Sequence, residues 1–268
     1  TPEQLYDERE KRIRDAINLS QPDRVPVIMS MTYFADRYAG VPTAAAYFDL
    51  PTWKEANKRA IIDLEPDAYG VFAGTSSGRA FEALDTRQTL WPGGPLPPDV
   101  SHQFVEAEYM KEDEYDLLLS DPSDFVMRRY LPRVFGSLEP LSKLPPLTTF
   151  IGGTTFTTVT PLLVSPEFQK VVQALHKAGR EEEKWRDAMA TFDDDIADLG
   201  FPAGRHLGGV GGAPFDAMSD FLRGMRGSML DMYRRPEKLV AACEMILNMR
   251  IARATPAAPK KRGDPKRV

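Results

Sequence analysis

The stretch Gly209-Val210-Gly211-Gly212-Ala213-Pro214-Phe215-Asp216-Ala217-Met218-Ser219-Asp220-Phe221-Leu222-Arg223-Gly224 reads as the end of a β-strand emptying into a helix. Glycine lacks a Cβ, so a run of glycines lets backbone turn sharply and approach a ligand closely. Pro214 suits the first position of a helix, where its missing N–H costs nothing. Beyond it Phe215, Met218, Phe221 and Leu222 recur at helical spacing. The turn is therefore a candidate binding surface.

Working outward, Arg205 to Val210 reads as the strand that feeds this turn, and two earlier segments have the same character. Val25 to Ser30 is short and β-branched, with Pro26 near its start, and predicts a strand buried on both faces. Ala68 to Ala73 predicts a second strand, leaving through the loop Gly74-Thr75-Ser76-Ser77-Gly78. Helical patterns cover Glu3 to Leu19 and Pro42 to Leu64. Leu84 to Met110 turns to short extended pieces around Trp91 to Pro98 and predicts a β-hairpin arm. Asp113 to Leu199 reads as mostly helix, with one helix over Pro166 to Ala178 and another over Glu181 to Gly200, whose acidic face is read as solvated. Phe150 to Thr160 reads as loop or helix start. The rhythm is that of a parallel α/β protein with crossover helices.

Composition sets limits on function. The chain of 268 residues is 42% hydrophobic, enough for a substantial core. Its 34 basic and 39 acidic residues leave a net charge of -5, which excludes a general attraction to nucleic acid or to anionic membranes. An anionic ligand has to meet local arginines. Cys243 is the single cysteine, so neither a disulfide framework nor a cysteine-rich metal site arises from these residues, and it reads as apolar filler in a helix. No apolar run reaches the roughly 18 residues of a membrane span. The charged start, Thr1 to Arg14, is unlike a signal peptide, and a cytoplasmic location is expected. The basic end (Lys260, Lys261, Arg262, Lys266, Arg267) reads as a linker-like or truncated tail over 254–268, and the few strands expected call either for more chain beyond Val268 or for a partner subunit to cover the sheet's edge.

The Gly-Ala-Pro-aromatic turn with a closing glycine at Gly224 resembles a strand-loop-helix of the uroporphyrinogen decarboxylase superfamily. Pro22-Asp23-Arg24-Val25-Pro26-Val27 is similar to the approach to that superfamily's first barrel strand, and Pro66-Asp67-Ala68 through Phe72 to the second. The resemblance implies a (β/α)8 TIM barrel, of which residues 1–253 would be the N-terminal part: about three β/α units, a helical insertion over about 84–200 and the hairpin arm. In such barrels the loops after the strands build the active site. Those loops would place Thr32, Tyr33, Arg37, Gly74, Thr75, Gly211, Gly212 and Phe215 around one pocket. His206 and Asp216 are the catalytic candidates, although a strand histidine is commonly just packed and an acid in a helix's first turn commonly serves the dipole. His102 and His176 read as surface or structural, and Met225, Met229 and Met232 as core or interface filler. Gly74 to Gly78 resembles an anion cradle without the lysine of a P-loop.

Departures from the decarboxylases narrow the implied reaction. Where those enzymes carry arginines for the substrate's carboxylates, this chain reads Met31-Thr32-Tyr33-Phe34-Ala35-Asp36-Arg37, leaving Arg37 alone; their aspartate after the second strand is replaced by Gly74, and their active-site tyrosine falls opposite Asp220. The superfamily's corrinoid-linked methyltransferases fit better, which implies a corrinoid such as methylcobalamin as cofactor or on a partner protein. Their zinc, held by His-x-Cys and a later cysteine, would be bound by residues beyond 268, with no metal ligands in this segment. Decarboxylation of uroporphyrinogen and silent binding of a tetrapyrrole or corrinoid protein are the alternatives. The resemblance also admits a homodimer.

Overall fold

A computed structural model describes residues 1–72, 76–151, 153–204 and 212–254. The chain begins with α1 (Pro2–Ile17), closed at its start by reciprocal capping between Thr1 and Gln4. It then enters β1 (Ile28–Thr32), which pairs in parallel with β2 (Ala68–Phe72), Ile28 opposite Ala68 and Thr32 opposite Phe72. The expected Val25–Ser30 strand is shifted toward the C-terminus and is not buried on both faces. Pro26 has no N–H for the ladder, and Val25 and Val27 are 81% and 54% exposed.

What holds the amino ends of both strands is ionic. Buried Asp67 accepts from Arg12 Nη1 at 2.5 Å, from Arg24 Nη1 and Nη2 at 2.7 and 2.6 Å, and from the Val27 N–H at 2.7 Å. Arg12 also grips Asp23 through two hydrogen bonds, at 2.7 and 2.6 Å. The guanidinium lowers the Asp23 carboxyl to a pKa of about 2. The residues that carried the resemblance in the first two strand segments are thus a clamp at the end of the sheet away from the outgoing loops.

Between the strands lie α2 (Phe34–Ala39), α3 (Ala45–Phe48) and α4 (Leu50–Leu64). The single helix expected over 42–64 breaks at Asp49, whose extended backbone makes it the cap of α4: its carboxylate accepts the Thr52 N–H, and Pro51 follows in the first turn. After β2 come α5 (Gly78–Leu84) and the expected hairpin arm, β3 (Thr89–Leu90) antiparallel to β4 (Gln103–Phe104).

The insertion is helical, as expected. It runs through α6 (Tyr115–Ser120), α7 (Pro122–Phe125), a π-helical turn over Val126–Tyr130 and α8 (Leu131–Val134), then 3-10 turns over Gly136–Lys143, Leu147–Phe150 and Thr154–Val159. After α9 (Thr160–Leu163), the two helices expected over 166–178 and 181–200 are instead one, α10 (Pro166–Ala190), followed by α11 (Phe192–Ala197). The chain returns to the sheet beyond Gly200. Ala203 bridges Tyr69 in parallel, and the Gly204 N–H donates to the Tyr69 carbonyl at 2.6 Å. The third expected strand, 205–210, lies outside the described residues, but the backbone that leads to it runs alongside β2.

Beyond the glycine turn are α12 (Pro214–Asp216), a second π-helical turn over Ala217–Leu222, α13 (Gly224–Arg234) and α14 (Pro236–Ala254). Three apolar cores result. One packs β1 and β2 against α4, α10 and α11, with Trp53, Trp91, Trp185 and Phe192 inside it. A second joins the insertion to the last helices through Tyr115, Phe125, Met218 and Leu239. A third lies within the insertion around Leu138 and Phe168. The architecture is thus α/β and mostly helical.

Candidate functional site

Thr32 ends β1 at a φ of +37°, a left-handed conformation that a β-branched residue adopts only under strain of roughly 1–3 kcal/mol. The strained turn aims Tyr33 inward, where it is buried against the first core. Its hydroxyl lies 2.7 Å from the Tyr47 hydroxyl and 2.7 Å from His102 Nδ1, and accepts the His102 backbone N–H at 3.3 Å. Burial raises the pKa of both phenols, so each stays protonated at neutral pH. His102 Nε2 has no hydrogen-bond partner among the described residues.

The Tyr33–His102 contact fastens the hairpin arm over the carboxyl edge of the sheet. From there an aromatic ladder continues. Ring centroids are 5.7 Å apart for Tyr33 and His102, 5.6 Å for His102 and Phe104, and 5.6 Å for Phe104 and Phe221. Gln88 secures the far end by donating to the Phe221 carbonyl at 2.9 Å, while Tyr130 donates to Gln88 Oε1 at 2.9 Å. The ladder joins the turn after β1, the arm and the helix after the glycine turn. Phe104 and Phe221 are 55% and 37% exposed, and their rings, set edge to face at 83°, face solvent.

Behind Tyr33, Asp36 is fully buried in α2 with neither carboxylate oxygen hydrogen-bonded. Burial pushes its pKa up to about 7, so it changes from neutral to charged close to neutral pH.

The other sequence candidates are distributed as follows. Thr32 and Arg37 are exposed near the ladder's start, Arg37 without an ion pair among the described residues. Gly74, Thr75, His206 and Gly211 lie outside the described residues. Gly212 is exposed, its carbonyl held by Arg250. Phe215 turns away from the ladder and lines an apolar groove of about 390 Å³ with Leu239, Cys243 and Leu247. Asp216 accepts the Ala213 N–H at 3.1 Å and so serves its own helix as a cap.

His102, read as surface or structural, is tied to Tyr33 at the sheet's edge, which is the structural option. Two readings change. Met225, Met229 and Met232 are 45%, 55% and 52% exposed, so they fill no core, and of the reading as core or interface filler only the interface part stands open. The acidic face of the 181–200 segment is not wholly solvated, because Glu182 accepts the Ser77 N–H at 3.0 Å and Asp193 accepts the Tyr69 hydroxyl at 2.9 Å. Glu182 is thereby the anion at the described end of the Gly74–Gly78 loop.

Sequence reading did not single out Tyr47, Asp36, Phe104 or Phe221 as site residues, because Phe104 and Phe221 meet, and Tyr47 reaches Tyr33, only through tertiary packing. Among the described residues, no group of three or more His, Cys, Asp or Glu side chains could hold a metal ion. No helix of the described residues is long and apolar enough to cross a membrane. No protein-family model, curated protein or solved structure matches the chain.

Proposed function

We propose that the chain is a barrel-type domain of the uroporphyrinogen decarboxylase superfamily that works in methyl transfer from a corrinoid. The observation that carries this reading is the exposed aromatic ladder along the carboxyl edge of parallel β-segments. A macrocycle stacks favourably on an exposed aromatic face, each aromatic contact contributing roughly 0.5–1.5 kcal/mol beyond its buried area. The residues fit that group as binder: Phe104 offers a stacking face, and Phe221, at 83° to it, an edge contact.

The corrinoid supplies an activated methyl group. This chain's part is to hold the macrocycle, to exclude water with the arm, and to take a proton. With a thiol as acceptor, a bound corrinoid would supply the methyl group, and the proton that the thiol gives up would pass to this chain. His102 Nε2, unpartnered and presented by the Tyr33 hydroxyl, is the base in reach. Among the described residues, no group of three or more His, Cys, Asp or Glu side chains could hold a zinc for the thiol.

Exposed Arg37 favours a second reading, uroporphyrinogen decarboxylation, because a guanidinium without an ion pair suits a substrate carboxylate. Equilibrium dialysis of the purified protein with methylcobalamin, followed by addition of a thiol and zinc, separates the readings. Saturable binding that Phe104→Ala and Phe221→Ala each weaken about twofold to tenfold, with turnover slowed about 100-fold by His102→Gln, is expected. Binding without turnover means a silent binder, release of carbon dioxide from uroporphyrinogen means the second reading, and no binding of methylcobalamin overturns the proposal.

A further inference from the structure

A cleft of about 850 Å³ opens in the helical insertion. Six cations line it: Arg87, Arg128, Arg129, Arg133, Lys143 and Lys170. In a chain of net charge -5 this is a local reversal of sign. The lining also includes two carboxylates, Glu139 and Glu167.

The cations fall into three groups by their partners. Arg128 and Arg133 are committed to the protein, Arg128 gripping Asp124 through two hydrogen bonds at 2.7 and 2.6 Å and Arg133 gripping Glu114 at 2.6 and 2.7 Å. Arg87 and Lys143 hold exposed carboxylates, Arg87 both Glu139 at 2.6 Å and Asp85 at 3.2 Å, and Lys143 Glu167. Glu139 and Glu167 are 60% and 57% exposed, and exposed pairs of this kind contribute only about 0–1 kcal/mol, so a multivalent anion displaces them easily. Arg129 and Lys170 have no ion pair or hydrogen bond among the described residues. Arg129 is moreover half-buried, and the carboxylates in its electrostatic range, Glu114 and Asp124, are already hydrogen-bonded to Arg133 and Arg128.

The backbone also departs from regularity at this point. Pro132 lacks an N–H, and its ring would collide with the carbonyl four residues earlier in a regular helix. The chain widens to a π turn over Val126–Tyr130, the Leu131 N–H donating to the Val126 carbonyl, and this turn carries Arg128 and Arg129. Such single π turns inside helices recur at functional sites.

We propose that this cleft binds a small-molecule polyanion carrying two or more phosphate or carboxylate groups. Arg129 and Lys170 provide the primary contacts, and Arg87 and Lys143 join as they release Glu139 and Glu167. The concave shape and the acidic remainder of the chain favour a small ligand over a nucleic acid strand.

Isothermal titration of the purified protein with pyrophosphate, free ATP and citrate, at low and at moderate salt, tests this. Saturable binding of at least one probe is expected, weakened by salt and by at least about tenfold in the Arg129→Gln/Lys170→Gln variant, each charge-assisted hydrogen bond being worth roughly 1.5–3 kcal/mol. Both side chains lack partners, so the variant leaves no buried carboxylate orphaned; circular dichroism checks its fold. Glu139→Gln/Glu167→Gln is expected to tighten the same binding severalfold. Response to citrate as well as to the phosphates makes the site a general polyanion site, and response to the phosphates alone narrows it to phosphate. Absence of binding by all three probes, or equal affinity in wild type and both variants, overturns the proposal. None of these residues belongs to the aromatic ladder, so the outcome is independent of the methyl-transfer reading.

Discussion

Asp36 concentrates the electrostatic cost of the candidate site in one side chain. In the unfolded chain its carboxyl titrates at about 3.8, while burial without a partner raises the folded value to about 7. The folded state therefore binds more protons than the unfolded state across that window, so stability falls as pH rises from about 4 to about 7 and levels off above. The shift corresponds to roughly 4 kcal/mol at most. Asp36→Asn removes the charge and keeps the shape. Urea unfolding at several pH values is expected to show the variant more stable than wild type at pH 8 and flatter between pH 4 and 7. A wild-type slope unchanged by the substitution would mean that Asp36 finds a counter-charge.

At the scale of elements, α10 shows where a sequence pattern misleads. Gly179 has the look of a helix stop, with an amphipathic run on either side, and predicts two helices; the chain instead continues through it from Pro166 to Ala190. Glycine in a helix interior costs roughly 0.5–1 kcal/mol relative to alanine. The flanking run of glutamate, lysine, arginine and alanine, together with Phe168, Val171, Ala178 and Trp185 buried along one side, outweighs that. A Cβ at Gly179 would meet no atom within 4 Å. Gly179→Ala is therefore expected to stabilise the protein by about 0.5–1 kcal/mol in chemical unfolding, with no change at the aromatic ladder.

The same logic explains what else was legible. The parallel segments, the arm and the helical insertion follow from β-branched runs, Gly-Pro clusters and helical periodicity, all local signals. The clamp of Arg12, Asp23, Arg24 and Asp67 shows as conspicuous residues in sequence, but its role at the sheet's rear needs partners up to 55 residues apart. The site was legible only at Thr32 and Tyr33. His102 reaches Tyr33 across 69 residues, and Phe104 meets Phe221 through two turns whose geometry no local pattern specifies.

At the scale of the whole molecule, the sheet-bearing core and the core that joins the insertion to the last helices carry separate probes. All three tryptophans, Trp53, Trp91 and Trp185, lie in the first. The second is pinned by a buried ionic cluster: Arg223 Nε donates to Asp231 at 2.7 Å, the Tyr115 hydroxyl donates to the same oxygen at 2.9 Å, and Arg223 Nη1 reaches the Met110 carbonyl at 2.8 Å. The Met110 N–H donates in turn to the Leu222 carbonyl at 2.7 Å, so the cluster also positions the π turn that presents Phe221 to the ladder. Asp231→Ala leaves Arg223 buried without its counter-ion, a loss of about 3–5 kcal/mol concentrated in the second core. Melting of the variant is then expected to split: helix content by circular dichroism falls first, as α6, α13 and α14 loosen, and tryptophan fluorescence follows at higher temperature. Coincident transitions, shifted together, would show instead that the two cores unfold as one unit and that the ladder is held by the entire fold.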